Sequence, residues 1–301
     1  MKSGLITDIQ RFSLNDGPGI RTTVFFKGCN MRCEWCHNPE TISHKKEIMF
    51  YANKCIGCGR CFDVCPAGVH SISDGTHIID REKCTFCGKC VENCYAEALV
   101  FSATELTADE VMSEILQDKV YYSESNGGVT LSGGEVTCQK EFALEIIKKC
   151  KENGIKTAIE TNLFLPFKQT KELISAVDLI MFDIKLFDSE EHKKYTGVSN
   201  AQILENVKML DELGIPFIVR TPLIPDVTDS EENLSAIVKF IAPLKNLLYY
   251  ELLNFNPLGA SKYQSLDSEN KFANAKPFEK ARIEKLADRL GNYNIKVKVG
   301  G

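Results

Sequence analysis

Cysteine is the residue that most constrains how this chain can fold. There are 13 cysteines in 301 residues, and eleven of them lie between positions 29 and 94. The chain is too large to be a small domain stapled by disulfides, and clustered thiols in a reducing compartment act as metal ligands. We therefore expect metal centres in the first third of the chain. Cys138 and Cys150 stand alone: Cys150 is expected to pack in the core, and Cys138 is expected to have a structural role.

The overall composition argues against several classes of function. A net charge of -5 disfavours nucleic acid as a partner, because phosphate binding needs a basic face. No apolar run approaches the roughly 18–20 residues of a membrane span, so no membrane partner is expected. The N-terminal residues lack a signal-peptide pattern, which predicts a cytoplasmic location.

Strands and helices alternate along most of the chain. The apolar patterns predict strands at 20–28, 129–131, 156–160, 179–183, 217–221, 248–253 and 295–299. Helices are predicted at 107–118, 140–153, 168–177, 201–213, 230–241 and 277–290. This alternation predicts an α/β fold of parallel βα units, as an open sheet or a complete or partial barrel. In such folds the chemistry lies at the carboxyl ends of the strands.

Residues 49–100 contain an internal repeat, which predicts an inserted module between core segments 1–48 and 101–301. Four cysteines with the spacing C-x2-C-x2-C-x3-C recur after an offset of 29 residues at every cysteine. The pattern resembles bacterial two-cluster ferredoxins, in which the fourth cysteine of each run serves the other cluster. The resemblance implies a small α+β domain with two closed 4Fe–4S clusters, held by Cys55, Cys58, Cys61 and Cys94 and by Cys84, Cys87, Cys90 and Cys65.

A separate group of three cysteines, Cys29, Cys33 and Cys36, follows the first predicted strand. Structural metal sites are usually closed by four protein ligands, so a set of three leaves one position open. Two interpretations fit: an iron–sulfur cluster with one open iron, or a zinc site whose fourth ligand comes from elsewhere, such as His37.

The spacing C-x3-C-x2-C with Trp35 before the last cysteine resembles the radical S-adenosylmethionine (SAM) enzymes, and a Gly-Gly-Glu segment at 133–135 supports the resemblance. It implies a partial (β/α)6-type TIM barrel whose open iron binds SAM and whose cluster cleaves it to a 5′-deoxyadenosyl radical. By the same resemblance, the SAM contacts are Trp35, Gly133, Gly134, Glu135, Asp183, Lys185, Arg220 and Asn256.

Further segments resemble the pyruvate formate-lyase activating enzyme family. The resemblance implies a monovalent cation on Glu160, Thr161, Met181 and Asp183, although Glu160 stands where that relative has aspartate. Oxygen atoms of these kinds suit a hard cation.

The run Asp16-Gly17-Pro18-Gly19-Ile20-Arg21, with His37-Asn38-Pro39 after the cysteines, resembles the activating enzymes of glycyl radical enzymes. The resemblance implies that Asp16 and Arg21 contact the glycine loop of a partner enzyme and that a hydrogen atom is taken from its glycine Cα. It also implies an electron donor such as flavodoxin or ferredoxin, and a monomer.

The inserted module places the chain in the longer subgroup of that family. A dehydratase or lyase is the expected partner, with trans-4-hydroxy-L-proline dehydratase as one candidate. Two alternatives remain at this point: a radical SAM enzyme that modifies another protein or peptide, and an iron–sulfur electron-transfer protein.

Overall fold

A computed structural model of the chain describes residues 2–300. Its strands are β1 (Ser3–Ser13), β2 (Arg21–Phe26), β3 (Ile48–Phe50), β4 (His70–Ser73), β5 (Thr76–Ile79), β6 (Leu99–Phe101), β7 (Thr104–Thr107), β8 (Gly128–Gly133), β9 (Thr157–Thr161), β10 (Leu179–Asp183), β11 (Phe217–Leu223), β12 (Leu247–Asn254) and β13 (Val297–Gly300). Its helices are α1 (Arg60–Val64), α2 (Lys89–Glu92), α3 (Ala108–Leu116), α4 (Lys119–Ser125), α5 (Lys140–Glu152), α6 (Phe167–Ile174), α7 (Ser189–Thr196), α8 (Ala201–Glu212), α9 (Glu231–Ile241), α10 (Ala260–Ser265) and α11 (Lys280–Gly291). None of the helices within residues 2–300 combines the length and apolar character that a membrane crossing requires.

Nine strands form one sheet in the order β13-β12-β11-β10-β9-β8-β2-β1-β7. The seven strands from β2 to β13 pair in parallel, and β1 and β7 extend the β2 side with antiparallel pairing. The two edge strands do not pair with each other, so the sheet is open. The predicted α/β fold with parallel βα units is confirmed, in the partial-barrel form.

The core strands are apolar on both faces, as expected for parallel strands covered on both sides. Leu131, Ile159, Phe182 and Val219 are completely buried against the helices. Burial of one such side chain contributes about 1.5–3 kcal/mol, so this layer supplies much of the stability of the fold.

Several elements lie outside the sequence prediction, and each lacks a clean apolar period. In β1, positions 7–12 are exposed or only partly buried, because the strand lies towards the sheet margin and its pairing with β2 has two register shifts. Helix α7 buries only His192 and Thr196. It is instead fixed at its ends: Asp188 accepts from the amides of Glu190 and Glu191, and Gly197 ends it in the left-handed conformation.

Residues 48–101 contain two small hairpin-like sheets and two short helices. Strand β3 pairs with β6 and β4 pairs with β5, both antiparallel. Gly59 and Gly88 begin α1 and α2 with φ of +78° and +80°, which favours glycine at both positions. Five buried side chains form the separate core of this region: Ile48, Val69, Ile79, Cys90 and Leu99.

Candidate active site

The loop that carries Cys29, Cys33 and Cys36 follows β2 at the carboxyl edge of the sheet. Backbone hydrogen bonds hold it on two sides: the amide of Cys29 donates to the carbonyl of Ile42 (3.1 Å), and that of Arg32 donates to Thr196 (2.8 Å). All three thiols are half-buried. The sequence thus places three potential ligands on one restrained loop beside the strand ends.

The arrangement of the three thiols does not fit a single zinc ion. Zinc–sulfur bonds of about 2.3 Å put tetrahedral ligands about 3.8 Å apart. Within residues 2–300, the set of three potential ligands whose atoms all lie within 4.8 Å of one another is Cys61, His70 and His77. Cys29, Cys33 and Cys36 are more widely spread, and His37 does not join them. Three thiols with this wider spacing fit an iron–sulfur cluster better.

Burial controls the protonation of these thiols. Burial raises the pKa of Cys29 to about 11 and that of Cys36 to about 12. It also raises the pKa of Cys33, against the opposing effect of the Lys185 ammonium. A metal bound by these thiols would therefore have to displace a proton from each of them.

Gly133 and Gly134, at the end of β8, lie directly against the cysteine loop. Gly133 has a φ of +106°, and a Cβ atom there would lie 2.3 Å from the amide nitrogen of Phe26. A Cβ on Gly134 would lie 2.4 Å from the carbonyl oxygen of Gly28. The amides of Gly134 and Glu135 donate to the carbonyls of Phe26 and Gly28, both at 2.8 Å. Only glycine permits this close approach.

Glu135 is completely buried, and its carboxylate joins the ends of two strands. Oε1 accepts from the amide of Thr137 (3.0 Å) and from the hydroxyls of Thr137 (2.7 Å) and Thr161 (2.8 Å). Oε2 accepts from the amide of Asn162 (2.7 Å). These four bonds connect the ends of β8 and β9, and the SAM contact expected of Glu135 stays a prediction.

A layer of charged side chains lies on the strand ends next to the loop. The guanidinium of Arg220 bonds to Glu160 (2.6 Å) and lies 3.4 Å from Asp183, and Lys185 bonds to Asp183 (2.5 Å). Ser132 donates a hydrogen bond to the second oxygen of Glu160. The register explains the grouping, because Asp183 on β10 lies directly opposite Arg220 on β11.

Burial opposes the charges in this layer, and their mutual attraction overcomes it. Burial favours the neutral forms, but Glu160 and Asp183 raise the pKa of Arg220 above its ordinary value. Lys185 and Arg220 likewise hold the pKa of Asp183 below its ordinary value against burial, and Asp183 raises that of Lys185. Arg220, Asp183 and Lys185 are therefore charged near neutral pH.

Two other positions of the predicted cation site have partners in the protein. Met181 is buried with Ala158 and Ile218 beneath the charged layer. The hydroxyl of Thr161 is committed to Glu135. Arg220 contacts the other two predicted ligands, Glu160 and Asp183, and already provides positive charge between them.

Trp35 and Asn256 occupy different environments. Trp35 is buried, with its ring 6.0 Å from that of Tyr195 and 6.1 Å from that of Phe272. Asn256 is exposed, and its side-chain oxygen accepts from the amide of Leu258 (3.0 Å), which caps a short turn.

Asp16 and Arg21 lie at the opposite end of β2 from the cysteine loop. The Asp16 carboxylate accepts from Thr23 (2.6 Å), and Arg21 is buried with its guanidinium bonded to Thr130 (2.6 Å). Burial lowers the pKa of Arg21 to about 10. A Cβ on Gly17 would lie 3.3 Å from the methyl carbon of Met181, so this segment lies against the sheet below the charged layer.

Asn162 and Glu251 join the site without having been assigned a role from the sequence. The Asn162 amide lies 3.9 Å from the Cys29 sulfur and donates to the side chain of Asn30 (2.7 Å). Glu251 is opposite Arg220 in the register, and burial raises its pKa. The sequence signal for Asn162 was its position directly after β9, next to the predicted ligands Glu160 and Thr161. Glu251 lies inside β12, and its place beside Arg220 depends on the register of the sheet.

The cysteines of residues 48–101 differ in exposure. Cys55, Cys58 and Cys87 are exposed, whereas Cys90 is buried in the small core that Cys61, Cys65, Cys84 and Cys94 line. Of the remaining two cysteines, Cys150 is completely buried, and Cys138 is half-buried with its pKa raised to about 12 by burial.

Three family profiles match the chain. The Radical SAM superfamily matches residues 81–236, a 4Fe–4S dicluster domain matches residues 47–95, and a 4Fe–4S single cluster domain matches residues 15–58.

Curated relatives match over almost the whole length. The choline trimethylamine-lyase activating enzyme of Oleidesulfovibrio alaskensis is 38% identical, covering 99% of this chain and 98% of that protein. The benzylsuccinate synthase activating enzyme of Thauera aromatica is 39% identical, covering 100% and 94%. The trans-4-hydroxy-L-proline dehydratase activating enzyme of Clostridioides difficile is 37% identical, covering 99% of each.

Solved structures share the fold. QueE from Escherichia coli superposes with a TM-score of 0.51 at 11% identity, over 99% of this chain and 93% of that one. SuiB from Streptococcus suis gives 0.52 at 20% identity, over 66% and 43%.

Proposed function

Because this chain belongs to the radical SAM superfamily and, within it, to the activating enzymes of glycyl radical enzymes, we propose that Cys29, Cys33 and Cys36 hold the cluster that cleaves SAM. Cluster and SAM, when bound, would supply one-electron cleavage of the sulfonium, which would give methionine and a 5′-deoxyadenosyl radical able to take a hydrogen atom from a glycine Cα. The observation that carries the assignment is the meeting of the three-thiol loop, the close-packed Gly133–Gly134 segment and the charged layer at one sheet edge.

The side chains of the charged layer would bind and orient SAM. Lys185 and Arg220 are buried cations that can hold its carboxylate, and their charge is maintained by Asp183 and Glu160. Trp35 shapes the apolar wall of the site, and Asn256, on an exposed turn, has an amide nitrogen for the adenosine. The surrounding buried layer excludes water from the reacting groups.

A monovalent cation on Glu160, Thr161, Met181 and Asp183 is part of the proposal. It would compete with Arg220 for the same carboxylate oxygens. SAM affinity measured in potassium and in choline chloride should differ if the cation binds. Equal affinity would refute the cation and leave Arg220 and Lys185 as the positive charges of the site.

We further propose that residues 49–100 form a domain with two clusters, on Cys55, Cys58, Cys61 and Cys94 and on Cys84, Cys87, Cys90 and Cys65. It would be inserted into a core of residues 1–48 and 101–301. The support is the repeated spacing, the dicluster profile and the separate apolar core. Eleven cluster thiols that must stay reduced also favour a cytoplasmic location.

The partner is a glycyl radical enzyme whose glycine loop would reach the segment of Asp16 and Arg21. Curated relatives at 37–39% identity act with a lyase, a synthase and a dehydratase, so identity does not choose among partners. Trans-4-hydroxy-L-proline dehydratase remains one candidate. Flavodoxin or ferredoxin would deliver the electron to a monomeric enzyme.

The first test of the site measures 5′-deoxyadenosine formed from SAM and dithionite. Arg220→Met should reduce the rate at least tenfold, because it leaves Glu160 without its buried cation and Asp183 with Lys185 alone. Arg282→Met is the matched control, since that side chain is mostly exposed and pairs with Asp229 on the surface. Equal rates for the two variants would remove Arg220 from the site.

The second test identifies the partner. Each candidate glycyl radical enzyme is incubated with the activating enzyme, SAM and reductant, and the glycyl radical doublet is recorded by EPR. Asp16→Asn should lower the radical yield while leaving SAM cleavage without a partner unchanged. A loss of cleavage without the partner would show that Asp16 serves the SAM site instead.

A further inference from the structure

The two halves of the inserted region repeat in three dimensions with the same 29-residue offset as their cysteines. Phe50 pairs with Leu99 between β3 and β6, and Ile79 pairs with His70 between β5 and β4. Position 79 is 29 residues after position 50, and position 70 is 29 residues before position 99. The β3–β6 pair and the β4–β5 pair are therefore equivalent, and each is called one half of the region below. The halves therefore provide a comparison within one molecule.

The halves differ in chemistry at two of these equivalent positions. Leu99 and Ile48 are buried in the small core of one half. Their equivalents in the other half are His70 and His77. Two histidines thus replace two apolar side chains in an otherwise matching framework.

The two histidines contact each other and lie beside a cluster ligand. Nδ1 of His70 is 2.9 Å from Nε2 of His77. One nitrogen of each ring, together with the sulfur of Cys61, forms a set of atoms within 4.8 Å of one another. Phe62 packs on both rings, with centroid distances of 5.8 and 5.1 Å, and fixes their orientation.

The other ring nitrogen of His70, Nε2, is buried and has no hydrogen-bond partner among residues 2–300. Of two facing imidazole nitrogens, one donates and the other accepts. If His77 donates to Nδ1, the proton of a neutral His70 is carried by Nε2, where it needs an acceptor. The protein atoms provide none, whereas cluster sulfurs accept such bonds.

We propose that His70, held by His77, donates a hydrogen bond to a sulfur of the cluster on Cys55, Cys58, Cys61 and Cys94, and makes it the more oxidising of the two clusters in the insert. This inference rests on the proposed presence of both clusters. Reduction adds one electron to the cluster, and an N–H donor stabilises the added negative charge. The equivalent Leu99 offers the other cluster no such donor.

The test uses the full chain with Cys29, Cys33 and Cys36 changed to alanine, so that only the insert clusters contribute. Their potentials are measured by dithionite titration followed by EPR. His70→Phe should lower one of the two potentials, with about a tenfold change in the equilibrium constant for one-electron reduction, which is about 59 mV. The other potential should not change.

Three further variants separate hydrogen bonding from packing. His70→Gln retains an N–H group and should keep most of the original potential. His77→Phe removes the positioning partner and should cause a partial fall. Leu99→Met, at the equivalent position in the other half, should leave the higher potential unchanged.

The outcomes distinguish this inference from the proposal on which it rests. An iron content too low for two clusters in the unsubstituted insert would refute the two-cluster assignment. Full iron content with unchanged potentials in His70→Phe, or with equal falls in both, would refute only the role of His70. If His70→Phe loses iron, the His77→Phe variant tests the role of His70 instead, and an unchanged potential there would refute it. Equal potentials in His70→Gln and His70→Phe would exclude hydrogen-bond donation.

Discussion

The buried carboxylate of Glu135 gives the sharpest test of what the Gly-Gly-Glu segment does. Its two oxygens accept four hydrogen bonds from Thr137, Thr161 and Asn162, all within the protein. We predict that Glu135→Gln destabilises the protein even without SAM. A residue that served only to bind SAM would change affinity and leave the stability of the SAM-free protein intact.

The size of the effect follows from the bond pattern. Glutamine keeps most bonds if its oxygen takes the Oε1 position, where three donors converge. Its NH2 group then faces the amide of Asn162, and one charge-assisted bond, of about 1.5–3 kcal/mol, is lost. The other three bonds weaken because the acceptor is neutral. We expect a total loss of about 3 kcal/mol, or about 6 °C in Tm at roughly 2 °C per kcal/mol for a large domain.

Differential scanning calorimetry of the cluster-loaded, SAM-free protein measures the change. Glu141→Gln is the matched control: Glu141 lies on the surface of α5 and pairs with Lys2. Exposed ion pairs contribute little to stability, so its Tm should fall much less than that of Glu135→Gln. If Glu135→Gln has the same Tm as the control while its SAM affinity falls, the structural role of Glu135 is refuted.

Three other predictions concern packing, pH and iron. Gly134→Ala should lower Tm by several degrees in a thermal melt, because its Cβ would meet the Gly28 carbonyl. Gly291→Ala, which has open space around it, should leave Tm unchanged, and equal Tm values for the two variants would contradict the packing argument. Asp118 has its pKa lowered mainly by the hydrogen bond from Arg11, so its contribution to stability is present above the unfolded-state pKa of about 4 and is lost as the pH falls through the folded-state value. Urea unfolding should therefore show Asp118→Asn less stable at pH 7, with the difference narrowing below pH 4; a constant difference would contradict this. Removing iron with a chelator should expose residues 48–101 to protease before the rest of the chain, because only a few side chains form the core of this region. Simultaneous cleavage elsewhere in the chain would contradict this prediction.

The sequence predicted the parallel strands well because their apolar runs are long and end at polar residues. The strand at Leu179–Asp183 has the bounds that the pattern indicated. It also predicted that Glu160, Asp183 and Arg220 would lie at one edge of the sheet, since parallel strands end on one side. Strand β1 and helix α7 were not predicted, because a register-shifted strand and a mostly exposed helix have no strong apolar period.

The contacts that define individual roles were beyond the sequence. Glu135 bonds to Thr161 because β8 and β9 are neighbours in one register, and spacing along the chain does not show that. Arg220 lies between Glu160 and Asp183 for the same reason. The unpartnered nitrogen of His70 depends on how a small domain folds, although the repeat itself already marked positions 70 and 99 as equivalent.

The point where the chain leaves the core and returns to it has a consequence for how such enzymes are built. The amide of Ser102 donates to the carbonyl of Glu47 (2.8 Å), and the amide of Glu47 donates to the hydroxyl of Ser102 (2.9 Å). The two ends of a segment of more than fifty residues therefore lie side by side, and the β3–β6 pairing continues the contact. A gene segment encoding it can be gained, lost or exchanged as one cassette without changing the order of the strands on either side. Long and short members of one family can thus share a barrel and differ in the cysteine-rich segment attached to it.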